Sequence, residues 1–352
     1  MKLRIALTAD PELPVPPVLY GGIERVIDML ARQLAARGHD VTLFAHRDST
    51  WPGRLVRWPG TSSGSAADAL RNASTLARHV ARDRYDLVHS FSRVGYLLPI
   101  LPLGLPKLMT YQRQVNRRSI ELGARLSRGT LWFSAISRWM MRHVEDCGTW
   151  RLVFNGVPLG TYDFQPQAAP GAPLVFLGRI EEIKGPHLAI EVARRTGRPL
   201  VIAGNVAPEH RRWFEAEVLP HVDGGRVKYV GPVDDAGKNA LLGSASALLM
   251  PILWDEPFGI VMAEAMACGT PVIGLSRGAV PEVVEHGVTG FVETDLDGLV
   301  AAVGRLTGID RQACRRRVEH LFSDDAVAEA YLGVYEEMIR SRGGNPAGRS
   351  LQ

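Results

Sequence analysis

A chain of 352 residues is too long for one hydrophobic core and long enough for two. With 46% hydrophobic and 22% charged residues, the composition excludes disordered, fibrous and collagen-like chains. The formal charge of +4 is unevenly split: residues 1–165 hold 22 Lys and Arg against 13 Asp and Glu, and the rest hold 19 against 24. Three scattered cysteines in no metal-ligand spacing argue against a disulfide framework or a zinc site, as expected of a cytoplasmic protein. No apolar run reaches the length of a membrane span, and residues 1–10 do not read as a signal peptide.

In chain order, residues 3–8 predict a buried strand, followed by a Pro-rich loop and by Gly21-Gly22 opening a helix over 23–36. Ile23, Val26, Ile27, Leu30 and Leu34 recur there at helical spacing, and Gly38 ends the helix. Residues 41–45 are the next strand, which completes a βαβ unit. Further strands are expected at 87–89, 107–110, 132–135 and 152–154. The Pro/Ala/Gly stretch 165–173 has linker composition and places a domain boundary between 165 and 166. Beyond it, strands at 174–177, 200–203, 227–230, 248–251, 272–275 and 290–292 alternate with helices at 187–196, 208–219, 236–245 and 260–267. A last helix covers 325–340, and a polar tail begins at 343. The fold class is therefore α/β, with two tandem doubly wound parallel-sheet domains, 1–165 and 166–324.

Such domains bind ligands outside the carboxyl ends of their strands. No G-x-G-x-x-G follows a strand, and Gly178–Gly185 lacks the second glycine and the hydroxyl of a P-loop. That loop does carry Arg179 and Lys184 just ahead of a helix starting near Pro186. A guanidinium, an ammonium and a helix N-terminus together suit a diphosphate, although the pair could also be solvated surface cations beside Glu181 and Glu182. Gly21 and Gly22 offer a second phosphate-friendly helix start, or only a turn. The strongest signal is Asp255–Thr270. Pro257 holds Glu256 on a loop, the amides of Phe258, Gly259 and Ile260 open a helix, and Glu264 lies inside that helix. Two carboxylates beside free amides suit a polyhydroxylated ligand; a helix cap and a helix-face glutamate are the plainer alternative. Asp295-Leu296-Asp297 looks like a D-x-D metal motif but precedes a helical run and is read as its cap.

Gly178-Arg179-x4-Lys184-Gly185, Glu256-Pro257-Phe258-Gly259-x4-Glu264, Gly278-x2-Pro281-Glu282 and Tyr20-Gly21-Gly22-Ile23-Glu24-Arg25 together resemble the retaining glycosyltransferases of family 4, in the branch that includes the avilamycin-type enzymes. The resemblance implies a GT-B fold, two Rossmann-like domains facing a cleft, with helix 325–342 crossing back to the first domain and 343–352 as a tail. It implies transfer of a hexose from a nucleotide diphosphate sugar, most readily a UDP- or GDP-sugar, to an unidentified small-molecule, glycan or lipid-linked acceptor. It also implies roles. Arg179 and Lys184 would hold the diphosphate, with Gly21 and Gly22 closing on it. Glu256 and the amides of Phe258, Gly259 and Ile260 would hold the sugar, and Glu264 the ribose. No metal or other cofactor is expected, because cations would neutralise the leaving group. No nucleic-acid partner is expected, while the basic first domain could touch anionic lipid at a membrane face. Many relatives carry a histidine where this chain has Gln112, which cannot share a proton. A nucleotide-sugar epimerase and a binding protein without turnover are the alternatives. His89 follows a strand and could face the cleft, but is expected rather to be buried and satisfied. Lys184→Ala and Glu256→Ala are expected to abolish turnover with little change in thermal midpoint.

Overall fold

The computed structural model describes residues 2–17, 21–113 and 115–343; Tyr20 and residues 344–352 lie outside them. The chain divides into two compact units, one of residues 1–155 with the C-terminal segment from 324, the other of residues 156–323.

In the first unit, short apolar segments form the strands β1 Arg4–Thr8, β2 Asp40–Ala45, β3 Arg54–Arg57, β4 Leu87–Ser90, β5 Lys107–Tyr111, β6 Leu131–Ala135 and β7 Thr149–Leu152. They pair in parallel in the order β3-β2-β1-β4-β5-β6-β7. The chain runs outward in both directions from β1 and β4, which makes that pair the switch point of the sheet. Ile5, Leu7, Leu43, Leu87 and Phe133 are wholly buried, as expected for strands covered on both faces. The helix Gly22–Ala36 buries Val26, Ile27, Leu30 and Leu34 of its periodic residues and leaves Ile23 half-buried.

The last helix, Asp324–Gly343, packs on this same unit. Tyr331 and Tyr335 are buried, and His89 between them is 0% exposed. His89 Nδ1 lies 2.6 Å from Tyr335 Oη and Nε2 lies 2.7 Å from Thr110 Oγ1. Burial lowers the His89 pKa to about 3, so the ring is neutral. It is the satisfied core histidine the sequence predicts. Arg37 holds the exposed start of the helix through Asp325 and Glu329.

The second unit repeats the plan with β8 Leu174–Leu177, β9 Leu200–Ala203, β10 Val227–Tyr229, β11 Ala247–Met250, β12 Val272–Leu275 and β13 Gly290–Glu293. These strands are parallel in the order β10-β9-β8-β11-β12-β13, with the switch point between β8 and β11. Its core joins Leu174, Ile202, Leu249 and Ile273 of the sheet to Ile190 and Leu299 of the helices.

The boundary expected at 165/166 instead falls between Asn155 and Gly156. Residues 157–165 are tied into the second unit. Val157 N–H donates to Phe322 O at 2.8 Å and Gln165 N–H to Cys268 O at 3.0 Å. The buried guanidinium of Arg311 donates to Gln165 O at 2.7 Å, and Arg315 to Tyr162 O at 2.9 Å. The Pro/Ala/Gly stretch is therefore a surface connection within one unit. Smaller differences fall at sheet edges: β3 has no sequence signal, and β7 lies three residues before its expected place. Asp295 accepts from Gly298 N–H at 2.8 Å and caps the helix Leu296–Gly304, as predicted. Among the described residues no helix is long and apolar enough to cross a membrane.

Candidate functional site

The loops leaving β8 and β11 emerge side by side at the switch point of the second sheet, so residues some seventy positions apart meet there. Gly185 has φ 75°, and a Cβ on it would stand 2.1 Å from Pro251 O. Only glycine lets the β8 loop press onto the end of β11. Leu253 N–H also donates to Ile183 O at 2.8 Å. The result is a direct pair, with Lys184 Nζ 2.8 Å from Glu256 Oε2 and the two side chains 16% and 12% exposed. Trp254 Nε1 donates to the same Oε2 at 3.1 Å, and the Lys184 ammonium sits 4.6 Å from the centre of the Trp254 ring.

Glu256 is fixed from behind as well. Ala279 N–H donates to Glu256 O at 2.8 Å and Gly278 N–H to Asp255 Oδ1 at 3.1 Å. A Cβ on Gly278, at φ 58°, would come within 2.4 Å of Glu256 backbone atoms. The helix Ile260–Ala267 starts beyond Gly259 with no side chain capping its N-terminus. The amides of Gly259 and Ile260 thus open the helix beside the Glu256 loop, in the place the sequence predicts; Phe258 itself is buried against Phe322.

Glu264 lies on the second turn of that helix and is 7% exposed. Its Oε1 accepts from Tyr162 Oη at 2.8 Å and from Lys238 Nζ. Burial and the adjacent Glu264 carboxylate raise the Tyr162 pKa far above the phenolic range, so the phenol stays a donor. Both glutamates are thus held in one way: two donors converge on one oxygen, and the other makes no hydrogen bond to a described residue. An oriented carboxylate with an open oxygen is what acceptance from a ligand hydroxyl requires.

Arg179 is placed differently. Its Nη2 lies 2.8 Å from Oε1 of Glu181, a buried carboxylate whose Oε2 is 3.2 Å from His210 Nε2. The structure therefore groups Lys184 with Glu256, and leaves Arg179 with Glu181 on the same loop. Gly21 and Gly22 stand in the first unit, at the N-terminus of the helix Gly22–Ala36, again without a side-chain cap. Gln112, also in the first unit, exchanges two amide hydrogen bonds with Asn155, at 2.8 and 2.7 Å, so both its polar atoms are engaged. Sequence reasoning missed Trp254, Lys238 and Tyr162, and named Glu181 only as a neighbour of the two cations. Trp254 could have been found two residues before Glu256; Tyr162 lies 102 positions from the acid it orients, with no local signal. Among the described residues no three His, Cys, Asp or Glu side chains cluster as a metal site would need.

Comparison with known proteins gives two family matches. Residues 164–306 match the family described as Glycosyl transferases group 1, and residues 20–160 match Glycosyltransferase Family 4. The chain is 30% identical to the phosphatidyl-myo-inositol mannosyltransferase of Mycobacterium leprae, over 96% of this chain and 92% of that protein. Among solved structures it resembles AviGT4, a glycosyltransferase involved in avilamycin A biosynthesis, at 25% identity and a TM-score of 0.73, covering 97% and 99% of the two chains. The sucrose-phosphate synthase of Thermosynechococcus elongatus shares the fold with a TM-score of 0.80 at 22% identity, over 97% and 100%.

Proposed function

The chain belongs to the family 4 glycosyltransferases and has the GT-B fold, and we propose that it transfers a hexose from a nucleotide diphosphate sugar with retention at the anomeric carbon. The observation that carries this reading is the Lys184–Glu256 pair at the switch point of the second sheet. An ammonium suited to phosphate stands 2.8 Å from a carboxylate suited to hydroxyls. When a nucleotide diphosphate sugar binds, Lys184 moves its charge from the carboxylate to the diphosphate, and Glu256 turns to a sugar hydroxyl. The amides at the start of the helix Ile260–Ala267 donate to the same sugar. Glu264 takes the ribose diol with its open oxygen, held by Tyr162 and Lys238.

In the reaction the bond between the anomeric carbon and the β-phosphate oxygen breaks, and a bond to an acceptor hydroxyl oxygen forms on the same face. The nucleoside diphosphate departs with the charge, and the acceptor's proton goes to a phosphate oxygen. Lys184 and Arg179 stabilise that growing charge, an effect for which losing one donor costs about 2–4 kcal/mol of barrier. In this reading side-chain cations take the part a metal ion plays elsewhere. Retention is the outcome the motif resemblance implies, and the acceptor is open.

Purified chain incubated with UDP-, GDP-, ADP- and dTDP-sugars should bind one class and slowly release its nucleoside diphosphate, read by calorimetry and by coupled assay. Absence of binding and hydrolysis across the panel would refute the proposal. An epimerised donor without nucleoside diphosphate would replace transfer by isomerisation.

A further inference from the structure

Three consecutive residues of the loop beyond β11 divide by side. Asp255 Oδ1 accepts from Gly278 N–H at 3.1 Å, while Trp254 and Glu256, two positions apart, turn to each other. Trp254 is half-buried and touches both members of the ion pair. Its Nε1–H donates to Glu256 Oε2 at 3.1 Å, and its ring centre lies 4.6 Å from the Lys184 ammonium, which reaches the same Oε2 at 2.8 Å. The arrangement recurs at Glu264 with other residues. Lys238 Nζ lies 5.7 Å from the centre of the Tyr162 ring and bonds Oε1, the oxygen that also accepts from Tyr162 Oη at 2.8 Å. Each glutamate thus has a lysine and a ring donor on one oxygen, with the lysine against the ring.

A diphosphate acts differently on the two donors of Glu256. An ammonium is a point charge on a flexible stem and is drawn to phosphate. An indole nitrogen only donates, on a side chain with few rotatable bonds, and its acceptor among the described residues is Glu256 Oε2. Once Lys184 swings to the diphosphate, the Trp254 N–H is the side-chain donor left on Glu256 among the described residues. The Glu256 side chain is 12% exposed, and a carboxylate that has lost its cation in such a place needs a donor to keep it ionised and oriented.

We infer that Trp254 is a positioning residue for sugar transfer: its N–H holds Glu256 Oε2 after Lys184 has gone to the diphosphate, and so keeps Oε1 available to a sugar hydroxyl. This role rests on the donor reading above and divides the donor between two side chains. The diphosphate depends on Lys184, and the grip on the sugar depends on Trp254 acting through Glu256. Deleting the ring N–H therefore impairs turnover of the nucleotide sugar and spares binding of the bare nucleoside diphosphate.

The test uses the full chain with two changes at this position. One is Trp254→Phe. The other replaces Trp254 by benzothienylalanine, which keeps the bicyclic ring and puts sulfur where the N–H was, so it removes the donor even if the smaller Phe ring unsettles the loop. Thermal midpoints establish that both proteins are folded. Calorimetry with UDP, GDP, ADP and dTDP gives diphosphate affinity, and a coupled assay with UDP-glucose, GDP-mannose, ADP-glucose and dTDP-glucose gives release; the base that the wild type accepts is carried to the variants. Both changes should lower kcat for release at least about tenfold and leave nucleoside diphosphate affinity within about twofold. Unchanged kcat in the benzothienylalanine protein would overturn the inference, because the N–H would then do nothing for the sugar. Equal losses of affinity and turnover would also overturn it, by assigning the ring to Lys184 instead. A wild type that binds no nucleotide, or binds one and releases none, would refute the donor reading and this role with it, whereas the other two failures leave that reading standing.

Discussion

Lys184 and Glu256 neutralise one another in a partly buried place, so removing either strands the other. This changes the expectation that single substitutions leave stability untouched. Lys184→Met and Glu256→Gln should each cost about 1–3 kcal/mol in urea unfolding, less than a fully buried pair would, and the double variant should regain most of the loss. Turnover should fall at least about a hundredfold in all three. A double variant no more stable than the singles would show that the pair is not coupled. Tyr162→Phe removes one of two donors on Glu264 and should weaken nucleoside diphosphate binding about two- to tenfold while sparing pyrophosphate, which has no ribose. Equal loss for both ligands would take Glu264 away from the ribose. The two acids were legible because a proline, a glycine and helical spacing fix them locally. Their partners were not, because Lys238 and Tyr162 reach Glu264 from other elements only after the chain has folded.

Secondary structure was most legible where strands are buried on both faces, since four or five apolar residues between breakers leave little choice. It failed at the two edges of the first sheet, whereas the edge strands β10 and β13 of the second fall where expected. β3 is Arg-Leu-Val-Arg with no fully buried residue, and β7 mixes Thr149 and Arg151 with buried Trp150. Edge strands need only one neighbour and can carry charge. The last helix carries its own test through His89. Its folded pKa lies below the ordinary value, so its contribution is present above about pH 6.5 and is lost as the pH falls towards 3. Between pH 7 and 5, the stability gap between wild type and His89→Asn should narrow by up to about 1.4 kcal/mol per pH unit below 6.5. Should the variant not fold, the His89 ring resonances of the wild type should still show no protonation above pH 4. A titration near 6.5 would contradict the buried assignment.

At the scale of the whole chain, the alternation of strands and helices made two tandem doubly wound units legible, and the boundary alone was misplaced. Linker-like composition reports exposure, whereas a boundary is set by which unit a segment bonds to. Residues 157–165 look unremarkable in sequence, yet they supply Tyr162 to Glu264 and Gln165 to Arg311. A fragment of residues 156–323 should unfold cooperatively and bind nucleoside diphosphate, and one of residues 166–323 should lose both properties. Equal behaviour of the two fragments would return the boundary to the Pro/Ala/Gly stretch. The account depends most on what Lys184 does when the donor arrives, and a crystal structure of the full chain with the preferred nucleoside diphosphate measures that directly. It should show the Lys184 ammonium within hydrogen-bond distance of a phosphate oxygen, with the ribose hydroxyls on Glu264. A diphosphate bound away from Lys184, with the Lys184–Glu256 pair intact, would contradict it.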